Sequence, residues 1–170
     1  LNFKAGSAKV GIRYGCGDYA NLRSTKLLDL ALFPVCSAKI LKHPLPLVGA
    51  GELLSYPLLQ HDTFIEGSRE NIWKIWMSAA GMADAVTSEG VFFNDREIAL
   101  QAAISGRGMA IGNACLSFDD LENGMLVKPF NFEYPIAESY YFVCAAEDSH
   151  SETNDILRNW LLQQFELMSK

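Results

Sequence analysis

The sequence predicts an α/β protein whose strands form a largely parallel sheet. Two observations carry that prediction. Short apolar runs alternate with segments of helical period along the chain, and two Pro-marked stretches, near Pro34 and from Pro129 to Pro135, stand where a chain would leave one lobe and later return to it. Val10, Ile12 and Tyr14 alternate with Lys9, Gly11 and Arg13, the period of a half-buried strand, which Gly15 and Gly17 end. Residues 27–36 are nearly all apolar and meet Pro34, as a buried strand leaving a sheet would. Pro44, Pro46 and Pro57 bracket a short helix over 49–54, followed by a strand over 58–61.

The middle of the chain has the clearest periodicity. Ile72, Trp73, Ile75, Trp76 and Ala80 follow helical spacing, and Gly81 sits where a helix C-terminus takes a left-handed residue. After a strand over 90–93, Asn94 is placed to cap the next helix, with Glu97 as its capping-box partner. That helix carries Ile98, Ala102 and Ser105 beside Leu100, Ala103 and Ile104, and stops at Gly106. A buried strand spans 109–112, Ser117 with Asp120 reads as another cap, and Asn123-Gly124 closes a short helix. Strands over 126–130 and 139–145 lead to a terminal amphipathic helix. Ile156, Trp160 and Gln163 line one face of it beside Leu157, Leu161 and Phe165, and Trp73, Trp76 and Trp160 are all expected to be hydrophobic anchors.

Composition narrows the function. The 170 residues suit one domain or two small lobes, and 14 basic against 20 acidic residues give a net charge of −6. That balance excludes a basic nucleic-acid module, so any DNA role falls to residues outside this chain. No apolar run approaches the roughly 18–20 residues of a membrane span. Leu1-Asn2-Phe3-Lys4 reads like the middle of a longer protein, without a signal segment. Cys16, Cys36, Cys115 and Cys144 are spread without paired spacing, so reduced thiols in a cytoplasmic protein are expected.

Nothing in the pattern points to catalysis, a cofactor or a metal. The histidines are His43, His61 and His150, with no metal-binding spacing and no nucleophile elbow. His61 beside Asp62 is half of an acid/base pair at most, and an ordinary loop histidine is the commoner reading. The glycines from Gly106 to Gly112 run from helix to strand, the wrong polarity for a phosphate cradle. Binding has better support. Arg13-Tyr14-Gly15, Phe93-Asn94-Asp95 and Ser139-Tyr140-Tyr141 each set polar or aromatic groups at the end of an apolar strand, where open α/β sheets collect ligands.

The residues also resemble a family. Val10-Gly11-Ile12-Arg13-Tyr14-Gly15, Leu32-Phe33-Pro34-Val35-Cys36-Ser37 and Trp73 with Trp76-Met77-Ser78-Ala79-Ala80-Gly81 are similar to the effector-binding domain of LysR-type transcriptional regulators. So are the run from Ala99 to Ile111, the run Glu122 to Phe130, and Ser139-Tyr140-Tyr141-Phe142-Val143, with variants resembling the glycine-cleavage-activator and β-lactamase-regulator subgroup. The resemblance implies two Rossmann-like lobes joined by two crossovers, like type 2 periplasmic binding proteins. The first lobe, at 1–33 and 138–170, would be incomplete, and the second would hold 34–137. It implies a non-enzymatic sensor. A small-molecule effector bound between the lobes would contact Tyr14, Gly15, Asp62, Asn94, Ser139 and Tyr140. Further expectations are a homodimer or higher homo-oligomer using the helix from Asp95 to Ser105, no membrane contact, and DNA binding only through a helix-turn-helix absent from this chain. A secreted type 2 solute-binding protein is the alternative.

Overall fold

Fifteen regular elements follow one another along a computed structural model that describes residues 10–65, 68–85, 90–146 and 151–168, with the side chains of 64, 65 and 68 left aside. Leu1 to Lys4, Lys9 and His150 lie outside the described residues. The strands and helices are β1 (Val10–Gly15), β2 (Leu22–Lys26), β3 (Leu30–Val35), α1 (Gly49–Leu53), β4 (Leu59–Gln60), β5 (Asp62–Ile65), β6 (Ser68–Asn71), α2 (Ile72–Ala79), β7 (Val91–Phe92), α3 (Arg96–Ile104), β8 (Ala110–Asn113), α4 (Ala114–Glu122), β9 (Tyr134–Ile136), β10 (Ser139–Ala145) and α5 (Glu152–Leu167). They divide into one unit of residues 1–30 with 136–170 and a second of 31–135.

The first unit is an antiparallel sheet in the order β1-β10-β2, with α5 following β10. Strand β2 escaped the sequence reading because Leu22-Arg23-Ser24-Thr25-Lys26 is polar, as suits an edge strand that must not invite further pairing. Ile12 faces solvent on the other edge strand. Helix α5 corrects an expectation. Its covered stripe runs through Asn154, Leu161 and Phe165, while Ile156 and Trp160 lie on the opposite side of the helix. A helix with two apolar stripes can turn only one toward a sheet, so Trp160 is 54% exposed and anchors nothing among the described residues.

In the second unit β4 runs parallel to β7 (Gln60↔Phe92) and, through the bridge Leu58↔Met109, parallel to β8. Strand β8 then pairs antiparallel with β3 (Leu32↔Asn113, Val35↔Ala110), beside which lies β9. The resulting order is β7-β4-β8-β3-β9, so only three strands of this sheet are parallel and the largely parallel sheet of the sequence reading is not found. Pro34 does not end the strand: it lies inside β3, opposite Ile111. The core joins Phe33, Val35 and Leu59 to Ala99, Leu100 and Ala103 of α3, with Ala110 and Leu126. Because Ala103 is buried there, it belongs to no external face of α3.

Helix starts differ in detail from the sequence reading. Asp95, not Asn94, caps α3, its carboxylate accepting the amides of Glu97 (2.7 Å) and Ile98 (3.2 Å). A carboxylate complements the positive end of the helix better than a neutral amide does. Asn113, not Ser117, caps α4. Ser117 lies inside that helix and is fully buried. Asn71 caps α2 at the end of the hairpin β5-β6, which the sequence did not reveal. Residues 126–130 make no strand, only a bridge between Val127 and Cys36. The aromatic centre of α2 is as expected: Trp73 and Trp76 are buried, and Trp76 packs on Phe130 with ring centroids 5.3 Å apart.

Candidate functional site

Four of the six residues singled out from the sequence come together in the first unit. The register of β1 and β10 sets Tyr14 opposite Tyr140 and Gly15 opposite Ser139. The two tyrosine rings stand 5.3 Å apart at 58°, and Tyr140 also meets Phe165 of α5. Ser139 is buried, its hydroxyl donating to the Leu28 carbonyl, while the Leu27 amide donates to the Tyr140 carbonyl (2.9 Å). Gly15 has φ +153°, and a Cβ on it would crowd the Tyr19 hydroxyl. Only glycine fits that backbone without displacing the ring. Burial raises the Tyr19 pKa, and the Arg13 guanidinium over its ring, 5.0 Å from the centroid, opposes the rise.

The other two, Asp62 and Asn94, belong to the second unit. Each lies two residues beyond the register pair Gln60↔Phe92 of the parallel strands β4 and β7, so both leave the sheet at the carboxyl end. Asp62 caps nothing: its carboxylate accepts from Arg69 Nε at 2.9 Å across the hairpin. Asn94 is exposed, just ahead of the Asp95 cap.

The sequence reading had no role for several residues at this end. Gln60 is buried and its Oε1 accepts from Asn71 Nδ2 (2.7 Å). His61 is only 4% exposed, and its Nδ1 has no hydrogen-bond partner. Burial pushes the His61 pKa down to about 4; Arg96 lowers it further, while Asp62 and Asp95 pull it upward. The imidazole is therefore neutral at neutral pH, and the nearby field is dominated by Arg96. Position alone, one or two residues past a parallel strand, is the signal that would have found His61 and Arg96. Among the described residues no group of three His, Cys, Asp or Glu side chains could hold a metal ion. What the arrangement offers is hydrogen-bond donors, acceptors and aromatic faces at strand ends.

A two-unit α/β chain that gathers polar side chains at strand ends belongs to the class of small-molecule-binding domains. More narrowly, the chain belongs to the LysR substrate binding domain family, whose model matches residues 3–166. It is 34% identical over 160 residues to the glycine cleavage system transcriptional activator of Escherichia coli K12, covering 93% of this chain and 50% of that protein. It is 25% identical over 167 residues to the HTH-type transcriptional regulator BlaA of Proteus vulgaris, covering 96% and 52%. The chain thus spans about half the length of the curated relatives it matches.

Solved structures agree on the fold. The effector domain of the transcriptional regulator AmpR of Pseudomonas aeruginosa superposes with a TM-score of 0.70 at 23% identity, covering 98% of this chain and 77% of that one. The AmpR effector binding domain of Citrobacter freundii gives 0.72 at 22%, covering 98% and 78%. The fold is therefore the type 2 periplasmic-binding-protein-like α/β fold that the resemblance implied. Among the described residues no helix is long and apolar enough to cross a membrane.

Proposed function

We propose that this chain is the effector-sensing part of a cytoplasmic, DNA-binding transcriptional regulator and performs no chemistry of its own. The observation that carries the reading is the 34% identity to a transcriptional activator across 93% of the chain. In the first unit the effector contacts Tyr14, Gly15, Ser139 and Tyr140, whose rings offer apolar faces with hydroxyls to bond. In the second it contacts Asp62 and Asn94. Binding shifts a population of subunit arrangements, and a helix-turn-helix elsewhere in the longer protein reads that shift on DNA. The working form is a homodimer or higher homo-oligomer, for which the outward side of α3, with exposed Ile98 and Gln101, is the candidate face.

The test begins with a small-molecule screen by thermal shift, followed by calorimetry on the strongest hit. Asn94→Ala and Tyr140→Ala should each weaken binding by roughly 1–3 kcal/mol, about 5- to 150-fold. If both variants fold and bind like the parent, these residues are not the site. If the effector leaves promoter occupancy by the longer protein unchanged, the sensor reading fails.

A further inference from the structure

Two helices start at the carboxyl end of the parallel strands in the second unit, and their starts are not equivalent. At α3 the Asp95 carboxylate takes the amides of Glu97 and Ile98 and adds its own negative charge, so that start is closed to an anion. At α4 the cap is the neutral Asn113, whose Oδ1 takes the Leu116 amide alone (3.0 Å). The amides of Ala114 and Cys115, the first two of this nine-residue helix, are left pointing out of it. We propose that the start of α4 is an oxyanion site, in which the Ala114 and Cys115 amides and the Arg96 guanidinium receive a carboxylate or phosphate group of the effector. The inference rests on the effector-sensing reading and adds the chemistry of the ligand.

Two buried side chains point to a ligand independently of the helix. Leu58 is bridged to Met109, and the Leu59 amide donates to the Met109 carbonyl at 2.8 Å. Three residues along both strands, His61 stands level with Gly112, and level residues of parallel neighbours project from the same side of the sheet. That side is the one α3 and α4 cover, since Leu59 and Ala110, two residues back on each strand, pack in the core with Ala99, Ala103 and Leu116. Gly112 has no side chain there, and a Cβ on it would overlap Ser117 Oγ from the first turns of α4. The His61 imidazole and the Ser117 hydroxyl therefore share one space at the foot of α4. They are 4% and 0% exposed, and neither His61 Nδ1 nor Ser117 Oγ has a partner. Leaving two buried polar atoms unsatisfied is costly unless something occupies the space they face.

The charges agree. Arg96 is half-buried in the first turn of α3, and its positive charge acts on both His61 and Cys115, placing it beside the foot of α4. Asp62 is engaged by Arg69 and Asp95 by the amides of α3, so the carboxylates nearby already have partners. The field left at the start of α4 is positive.

The experiment titrates the isotope-labelled 170-residue chain with sodium phosphate and, separately, sodium acetate, against chloride at constant ionic strength. Saturable shifts of the Ala114 and Cys115 amides and of the His61 ring are expected in the millimolar range, with the stronger of the two anions naming the effector's group. Arg96→Gln should weaken binding by roughly 10- to 150-fold. Asn113→Asp should do the same while keeping a good helix cap, which separates lost binding from lost folding. Shifts centred on Glu97 and Ile98, shifts that never saturate, or unchanged binding by Asn113→Asp would overturn the proposal. If neither anion perturbs Ala114 but a neutral screening hit perturbs Tyr14 and Tyr140, the oxyanion site alone is lost and effector sensing stands. Failure of every small molecule to bind removes both.

Discussion

Trp73 and Trp76 occupy successive turns of α2, are 1% and 0% exposed, and differ in one respect that a stability measurement can read. The indole N–H of Trp73 donates to the Leu59 carbonyl at 3.0 Å, whereas that of Trp76 is buried with no partner. Replacing either indole by phenyl removes the same atoms from the same core, so the cavity costs nearly cancel in a comparison. Trp73→Phe also loses a hydrogen bond worth about 1 kcal/mol, while Trp76→Phe removes an unsatisfied donor whose burial costs about 1–3 kcal/mol. The first variant should therefore be the less stable by roughly 2–4 kcal/mol. Trp76→Phe keeps an aromatic ring against Trp73 and Phe130, whose centroids lie 6.2 and 5.3 Å away, so little edge-to-face contact is lost. Urea denaturation followed by far-UV ellipticity, with the slope checked for constancy, measures the difference. A Trp76→Phe variant as unstable as Trp73→Phe, or more so, would refute the reasoning.

Other consequences can be checked in the same preparations. His61 has a folded pKa of about 4 against an ordinary 6.5, so below 6.5 the unfolded chain takes up a proton that the folded chain refuses. Stability is fully present above pH 6.5 and falls toward pH 4, by up to about 3 kcal/mol, and His61→Gln should flatten that part of the profile; an unchanged slope would count against it. Gly112→Ala should destabilise by roughly 1–3 kcal/mol because its Cβ meets Ser117 Oγ, and Ser117→Ala in the same chain should restore most of the loss. A thiol titration should find four reactive groups in denaturant. In the folded chain exposed Cys16 should react first, while Cys36, whose thiol burial pushes up to about 11, should stay protected; a missing pair of thiols would contradict this.

The binding residues were legible unevenly, for a physical reason. Tyr14, Gly15, Ser139 and Tyr140 could be found because a strand end marked by glycine or serine shows in local sequence, and the β1–β10 register then joins two distant segments. His61 and Arg96 could not, because their interest comes from the charge and burial that neighbouring strands impose. Caps were misplaced by one residue at Asn94 and by four at Ser117, since Ser, Asn and Asp all bond amides and only the backbone decides which one stands at the turn.

By itself the sequence determined what depends on local chemistry: the strand at 10–15, the helix ended by Gly81, the burial of Trp73 and Trp76, and the ordered motifs that mark the family. Only the tertiary structure decided strand direction, since alternation and apolar runs look alike in parallel and antiparallel sheets. It also chose which stripe of α5 would be covered. Periodicity offered Trp160 and Phe165 equally, and burial fell to Phe165 because a helix resting on a sheet has one face to give.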